Sequence, residues 1–414
     1  MHADKSLIII CFLVLVGSIF PQTKSLVNPK HLDDLYEEIS VNNNNMAIIH
    51  IYADYPTYKW VDASGEGITC VDDVARASVF YMKYYNYTHD SVYLNKVKRL
   101  INFVLHMQSE NGYFYNFMMA DHSINKTYKT STAEPNWWTW RAVWSLTFVQ
   151  KYLTNDIELS NRISASLEKS FTAIKKYLPL NSDKKSINGV LLPKWLPFET
   201  GADQSSILLI ALSAYYENHK DKDILPCINS LADGIMLMQV KDKSALVNGA
   251  FLSWENTWHA WGNSQAYALL YAGSIINNKK YLKAAYNEIN HFHKYLLSKQ
   301  FPSSFELSYS DNKLNSYKES KYTQIAYGIR PLIYSNLKAY NITKNKKFAK
   351  QAKEIAKWFL GINIKKQQMY FPESGICYDG LDEDRVNKNS GAESTIEGLL
   401  ALIELEQNNI FIKD

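Results

Sequence analysis

Six segments share one design, in which polar or small residues lead straight into an apolar run with helical spacing: ITCVDDVARASVF, EPNWWTWRAVWSL, ETGADQSSILLIAL, WHAWGNSQAYALL, ESKYTQIAYGIRPL and KNSGAESTIEGLLAL. Their starts near Asp72, Trp138, Asp203, Gly262, Lys321 and Gly391 recur every 60–70 residues or so, room for two helices and their loops. The likeness is stronger at twice that period. HMQSENGYFYNF and LMQVKDKSALVNGAFLSW share Met-Gln, then Gly-x-Phe, then a Trp-rich helix start.

The stretches in between, such as SVYLNKVKRLINFVLHMQ and KKYLKAAYNEINHFHKYLL, carry an apolar stripe and a charged face, the pattern of a helix covered on one side only. ILLIALSAYY and SQAYALLYAGSII are instead apolar or small nearly all round, which suits helices buried on every side. Six buried helices alternating with six half-buried ones predict an all-α chain, an (α/α)6 barrel whose inner helices all begin at one mouth. A stacked helical solenoid is the competing fold, but its repeats run to about 34–47 residues and need no polar motif at every second helix start.

Composition agrees with this. Only 16 Gly and 11 Pro in 414 residues are too few for an all-β chain that must turn every ten residues or so. The 45 basic and 41 acidic residues form no Lys/Arg stripe, so nucleic acid is not an expected partner. Tyr (29) and Trp (10) are abundant, and such rings line sugar-binding grooves as well as cores.

Residues 1–25 read as an export signal: Lys5, an apolar run from Leu7 to Phe20, then polar residues to Ser25. The expectation is a periplasmic or secreted single domain over 26–414, with membrane attachment only if the signal stays uncleaved. Cys70, Cys227 and Cys377 have no metal-type spacing, and neither a metal nor a cofactor is expected.

The elements CVDDVARA (Cys70–Ala77) and CYDGLDEDRVNKNSGAEST (Cys377–Thr395) resemble those of the six-hairpin glycosidase superfamily. They are closest to the TDDNARA-like and YDGL…GAEST-like elements of the helical domain fused behind some group 1 glycosyltransferases. The resemblance runs in order over most of the mature chain and implies the (α/α)6 toroid; it implies little about chemistry.

Closing the ring would bring Asp72, Asp73, Arg141, Asp203, His259, Gln265, Tyr322 and Glu393 together. Asp72 and Asp73, followed by Arg76, exceed what capping a helix requires. Glu393 sits in the first turn of the last inner helix, behind a loop rich in Asp379, Asp382, Asp384 and Asn387. Glycoside hydrolysis needs an acid for the leaving oxygen and a carboxylate opposite it. The first and sixth inner helices are neighbours in a ring, so Asp73 as base and Glu393 as acid are the expected catalytic pair, with Asp72 or Asp203 in reserve. Trp138 and Trp258 are the expected stacking rings, and Arg141, Asp203, His259, Gln265, Tyr322, Asp379 and Asn387 complete a site for an oligo- or polysaccharide. The expected activity is that of an inverting glycoside hydrolase. Two alternatives stay open: a polysaccharide lyase, with Tyr267 or Tyr322 and His259 taking a proton beside a uronate held by Arg141, and a non-catalytic sugar-binding barrel.

Overall fold

The computed structural model describes residues 25–63, 65–180, 182–311 and 313–412, so the expected export signal, apart from Ser25, lies outside the described residues. In chain order the helices are α1 (Lys30–Asp34), α2 (Val71–Thr88), α3 (Ser91–His106), α4 (Trp137–Gln150), α5 (Ile157–Tyr177), α6 (Ala202–His219) and α7 (Leu225–Leu237). They continue with α8 (Gln265–Ile275), α9 (Lys279–Asn287), α10 (His293–Ser298), α11 (Ala326–Thr343), α12 (Lys346–Ala356) and α13 (Ala392–Gln407).

α2, α4, α6, α8, α11 and α13 each pack on the next, and α13 returns to α2, closing a ring. α3, α5, α7, α9 and α12 pack outside it, each against the inner helix that precedes it, and α1 lies against α13. This is the expected (α/α)6 toroid, mostly helical with short strands in its loops. Burial follows the sequence pattern closely. Every residue from Ala202 to Ala214 of α6 is buried, whereas α12 buries only Phe348, Ala352, Ile355 and Ala356, a single stripe at helical spacing. Each fully buried large apolar side chain of this kind contributes roughly 1.5–3 kcal/mol.

Several inner and outer helices also start differently. Asp90, Asp156, Asn278 and Asn345 cap α3, α5, α9 and α12 with side-chain hydrogen bonds. The starts of α6, α8, α11 and α13 have no N-cap side-chain bond of their own. They leave positive dipole ends and backbone N–H groups for whatever gathers at the mouth.

Four of the six expected starts fall within a residue of an inner helix. Gly262 and Lys321 fall three and five residues early, because structured loops come first: a strand Thr257–His259 before α8, and a hairpin Ser304–Ser310/Lys313–Ser320 before α11. That hairpin pairs with Thr257–His259 to give a three-stranded sheet beside the mouth. A shorter hairpin, Tyr52–Asp54 with Lys59–Val61, flanks the other side. At the opposite end of the described chain, Ser25 and the Leu26 amide both donate to the carboxylate of Glu406 on α13, at 2.7 Å each. Among the described residues no helix is long and apolar enough to cross a membrane.

Candidate active site at the barrel mouth

Arg76, one turn into α2, is 1% exposed and holds carboxylates from two neighbouring inner helices. Nη2 donates to Asp73 Oδ1 at 2.6 Å, while Nη1 donates to Glu393 and Glu397 of α13, at 3.1 Å each. A guanidinium offers five donors in a fixed plane, so one side chain can order several acids around itself. Glu397, completely buried, also takes two bonds from Arg330 of α11. Burial alone would raise its pKa; the two arginines outweigh that and hold it below the usual glutamate range.

Around this centre lies a cavity of 330 Å³ walled by Tyr52, Glu66, Cys70, Asp72, Asp73, Arg76, Tyr327, Asp379 and Glu393, among others. Asp73 is buried, and its carboxyl is pushed up to about 6, chiefly by loss of water, with Asp72 and Glu393 adding to the rise and Arg76 opposing it. The Glu393 side chain is 44% exposed and opens into the cavity. One acid is therefore dry and reluctant to ionise, and the other is wet, on two sides of one guanidinium.

Asp72 pairs with Arg141 of α4, whose second terminal nitrogen donates to the hydroxyl of Tyr327 on α11. Asp72 Oδ1 is the one oxygen of this network left buried without a partner. Asp379 accepts from the Gly391 amide (2.9 Å) and the Ser394 hydroxyl (2.6 Å), and burial raises its pKa. It thereby serves as the missing cap of α13 while lining the cavity.

Asp203 at the start of α6 and His259 on the strand ahead of α8 pair with each other outside the lining of this cavity, Oδ2 to Nε2 at 3.0 Å, and His259 Nδ1 faces the Trp261 carbonyl at 2.9 Å. Both ring nitrogens thus face oxygen atoms. The Trp261 ring stacks on this imidazole at 3.9 Å and is 42% exposed. Gly262 beside it (φ +69°) lies so near Trp137 and the Tyr327 hydroxyl that a Cβ would come within 2.9 Å of each.

Several expected site residues lie elsewhere. Trp138 points into the wall, with Nε1 donating to the Phe114 and Thr132 carbonyls. Trp258 is 1% exposed and packed between Phe292 and Phe305. Their neighbours are more open, Trp137 lying under Arg141 and Trp261 reaching solvent, while the rings that line the cavity are Tyr52, Phe117 and Tyr327. Gln265 is wholly buried, with Nε2 reaching the Leu252 carbonyl. Asn387 accepts from the Asn389 amide and shapes its loop. Tyr322 is partly buried on the segment before α11 and its backbone carbonyl accepts from Ser303 and Ser320. None of Trp138, Trp258, Gln265, Tyr322 and Asn387 lines the cavity. Conversely, Tyr327, Arg330 and Glu397 were not expected; their signal is an ionisable or phenolic group inside a helix that is otherwise apolar all round. No cluster of three or more His, Cys, Asp or Glu suited to a metal is found among the described residues.

No family model matches the chain, and no curated protein matches it. Solved structures do share its fold. A cellobiose 2-epimerase from Bacillus thermoamylovorans B4167 superimposes with a TM-score of 0.62 at 14% identity, covering 91% of this chain and 95% of that one. A D-mannose isomerase gives 0.59 at 12% identity over 87% and 92% of the two chains. A family 76 glycoside hydrolase from a bovine Bacteroides thetaiotaomicron strain gives 0.57 at 12% identity over 92% and 79%. At such identities the common property is the six-hairpin toroid itself.

Proposed function

We propose that the chain is a carbohydrate-active enzyme, a glycoside hydrolase whose reacting groups are Asp73 and Glu393. The observation that carries this reading is one cavity in which a dry carboxyl raised to about 6 and a solvent-open carboxylate flank a single buried guanidinium. Burial favours the reverse of the roles suggested by sequence order. Asp73, holding its proton up to about pH 6, protonates the leaving oxygen; Glu393, open to solvent, acts from the other side. Arg76 holds the two carboxyls on separate terminal nitrogens, and the outcome proposed is inversion, with Glu393 activating a water.

The cavity wall supports a neutral sugar. Glu66, Asp72, Asp73, Asp379 and Glu393 face one arginine there, and Arg141 is already engaged by Asp72 and Tyr327. A uronate would meet net negative charge without a free cation, which disfavours the lyase reading. Proton transfer at a sugar carbon is a second reading, favoured by the epimerase and the isomerase that share the fold and by His259, whose two ring nitrogens both face oxygen atoms. Export through Leu7–Phe20 remains part of the proposal.

The test is a panel of neutral oligosaccharides in ²H₂O, followed by NMR. Hydrolysis releases new reducing ends, and inversion shows as the opposite anomer appearing first. Isomerisation instead places deuterium on carbon with no new ends, and that result overturns the hydrolase assignment.

A further inference from the structure

Cys70 closes the strand ahead of α2 and stands at its N-cap, a position where Ser, Thr, Asp or Asn is the usual choice. Its sulfur accepts from the Asp73 amide at 3.4 Å and donates to Asp73 Oδ2 at 3.2 Å. The thiol is fully buried, and burial pushes its own ionisation far above neutrality, so it keeps its hydrogen throughout the working range.

The two oxygens of Asp73 therefore have unlike partners. Oδ1 faces Arg76, which can only donate. A proton on Oδ1 would point at another donor, so the proton of the neutral acid must sit on Oδ2. There it meets the one neighbour that can change role: a thiol donates to a carboxylate and, after turning about its C–S bond, accepts from a carboxylic acid. The other titratable or charged groups around Asp73 are Asp72 and Arg76 on its own helix, Glu393 of α13, and Tyr52 and Glu66 on the cavity wall; among the described residues only Cys70 makes a hydrogen bond to Oδ2.

We infer that Cys70 is a positioning residue for Asp73, fixing Oδ2 as the oxygen that carries the transferable proton and setting how tightly that proton is held. Sulfur suits this because it is a weak partner in both directions. A serine hydroxyl would bond the carboxylate more strongly than it bonds the acid, since a charged acceptor makes the stronger hydrogen bond. It would therefore depress the pKa that burial raises. The inference rests on the proposed role of Asp73, but its first readout does not require turnover.

The experiment follows the carboxyl carbon of Asp73 by ¹³C NMR as pH is varied, with the resonance identified by its loss in Asp73→Asn. Wild type, Cys70→Ser and Cys70→Ala are compared. The serine variant should titrate lower by about half a pH unit or more, and the alanine variant, with no partner at Oδ2, higher by a similar amount. If both folded variants titrate with the wild type, the inference is overturned. Where a substrate is in hand, the alkaline limb of kcat should move with the carboxyl in each variant while KM changes little. Carboxyl shifts with no matching movement of the limb would leave Cys70 tuning Asp73 but remove Asp73 as the proton donor.

Discussion

Replacing Glu397 by glutamine strikes the buried centre without touching the cavity. Glu397 Oε1 accepts from Arg76 at 3.1 Å and from Arg330 at 3.3 Å, and Oε2 accepts from the Arg330 Nε–H. An amide can supply only one acceptor oxygen, so its NH₂ must face a guanidinium donor. Arg76 retains Asp73 and Glu393, but the remaining interactions of Arg330 are the faces of Tyr327 and Tyr334, at 5.9 and 5.0 Å. Leaving a buried charge without its partner costs about 3–5 kcal/mol. With roughly 2.1 cal/mol/K of unfolding entropy per residue, a domain this long should lose about 4–6 °C in Tm. Differential scanning calorimetry at neutral pH reads that loss, and Glu404→Gln, which breaks the part-exposed pair with Lys83, should cost far less. The gap should also depend on pH. The Glu397 pKa is lowered by folding, so its contribution is complete above the ordinary glutamate pKa and fades as pH falls through the folded value. Wild type and variant should therefore converge in acid. An unchanged Tm at neutral pH would refute the view that Glu397 neutralises Arg330.

The remaining predictions concern the mouth. Asp73→Asn and Glu393→Gln should each lower turnover by orders of magnitude with little change in circular dichroism, because an amide keeps the shape but cannot transfer a proton. In wild type the Asp73 limb should fall as pH rises through about 6, since the raised carboxyl is active while protonated; a rate that climbs through that range would assign Asp73 the base role instead. Gly262→Ala should lose at least about 1 kcal/mol in urea unfolding, because the left-handed backbone and the contacts with Trp137 and Tyr327 both resist a methyl group; equal stability would mean the loop shifts freely. Trp261→Ala should raise KM for sugar with Tm nearly unchanged, whereas Trp138→Ala should cost about 3–5 kcal/mol of stability as a core deletion. The reverse pattern would return Trp138 to the binding surface.

The ring was readable because two burial patterns alternate along the chain: α6 is apolar on every side and α12 on one stripe only. The same all-round burial hid the phase of the inner helices. Neighbouring residues on a helix point about 100° apart, and nothing within WWTWRAVW marks Trp137, rather than Trp138, as facing the mouth. The sheet beside the mouth did leave a trace, since SFELSYS alternates apolar and polar residues ahead of Asp311 and Asn312, yet helical periodicity elsewhere gave no reason to look for strands. The acids of α2 and α13 stood out as polar residues ahead of apolar runs. Arg330, Glu397 and Tyr327 did not, because what joins them to Arg76 and Arg141 is the closure of the ring.

The most direct test of the central claim is the rate of reducing-end release from neutral oligosaccharides by folded wild type and folded Glu393→Gln, measured side by side. The account predicts a wild-type rate that the glutamine variant loses by orders of magnitude, while its melting curve stays close to wild type. Equal rates in the two proteins would contradict it and remove the carboxylate on the sixth inner helix from the reaction.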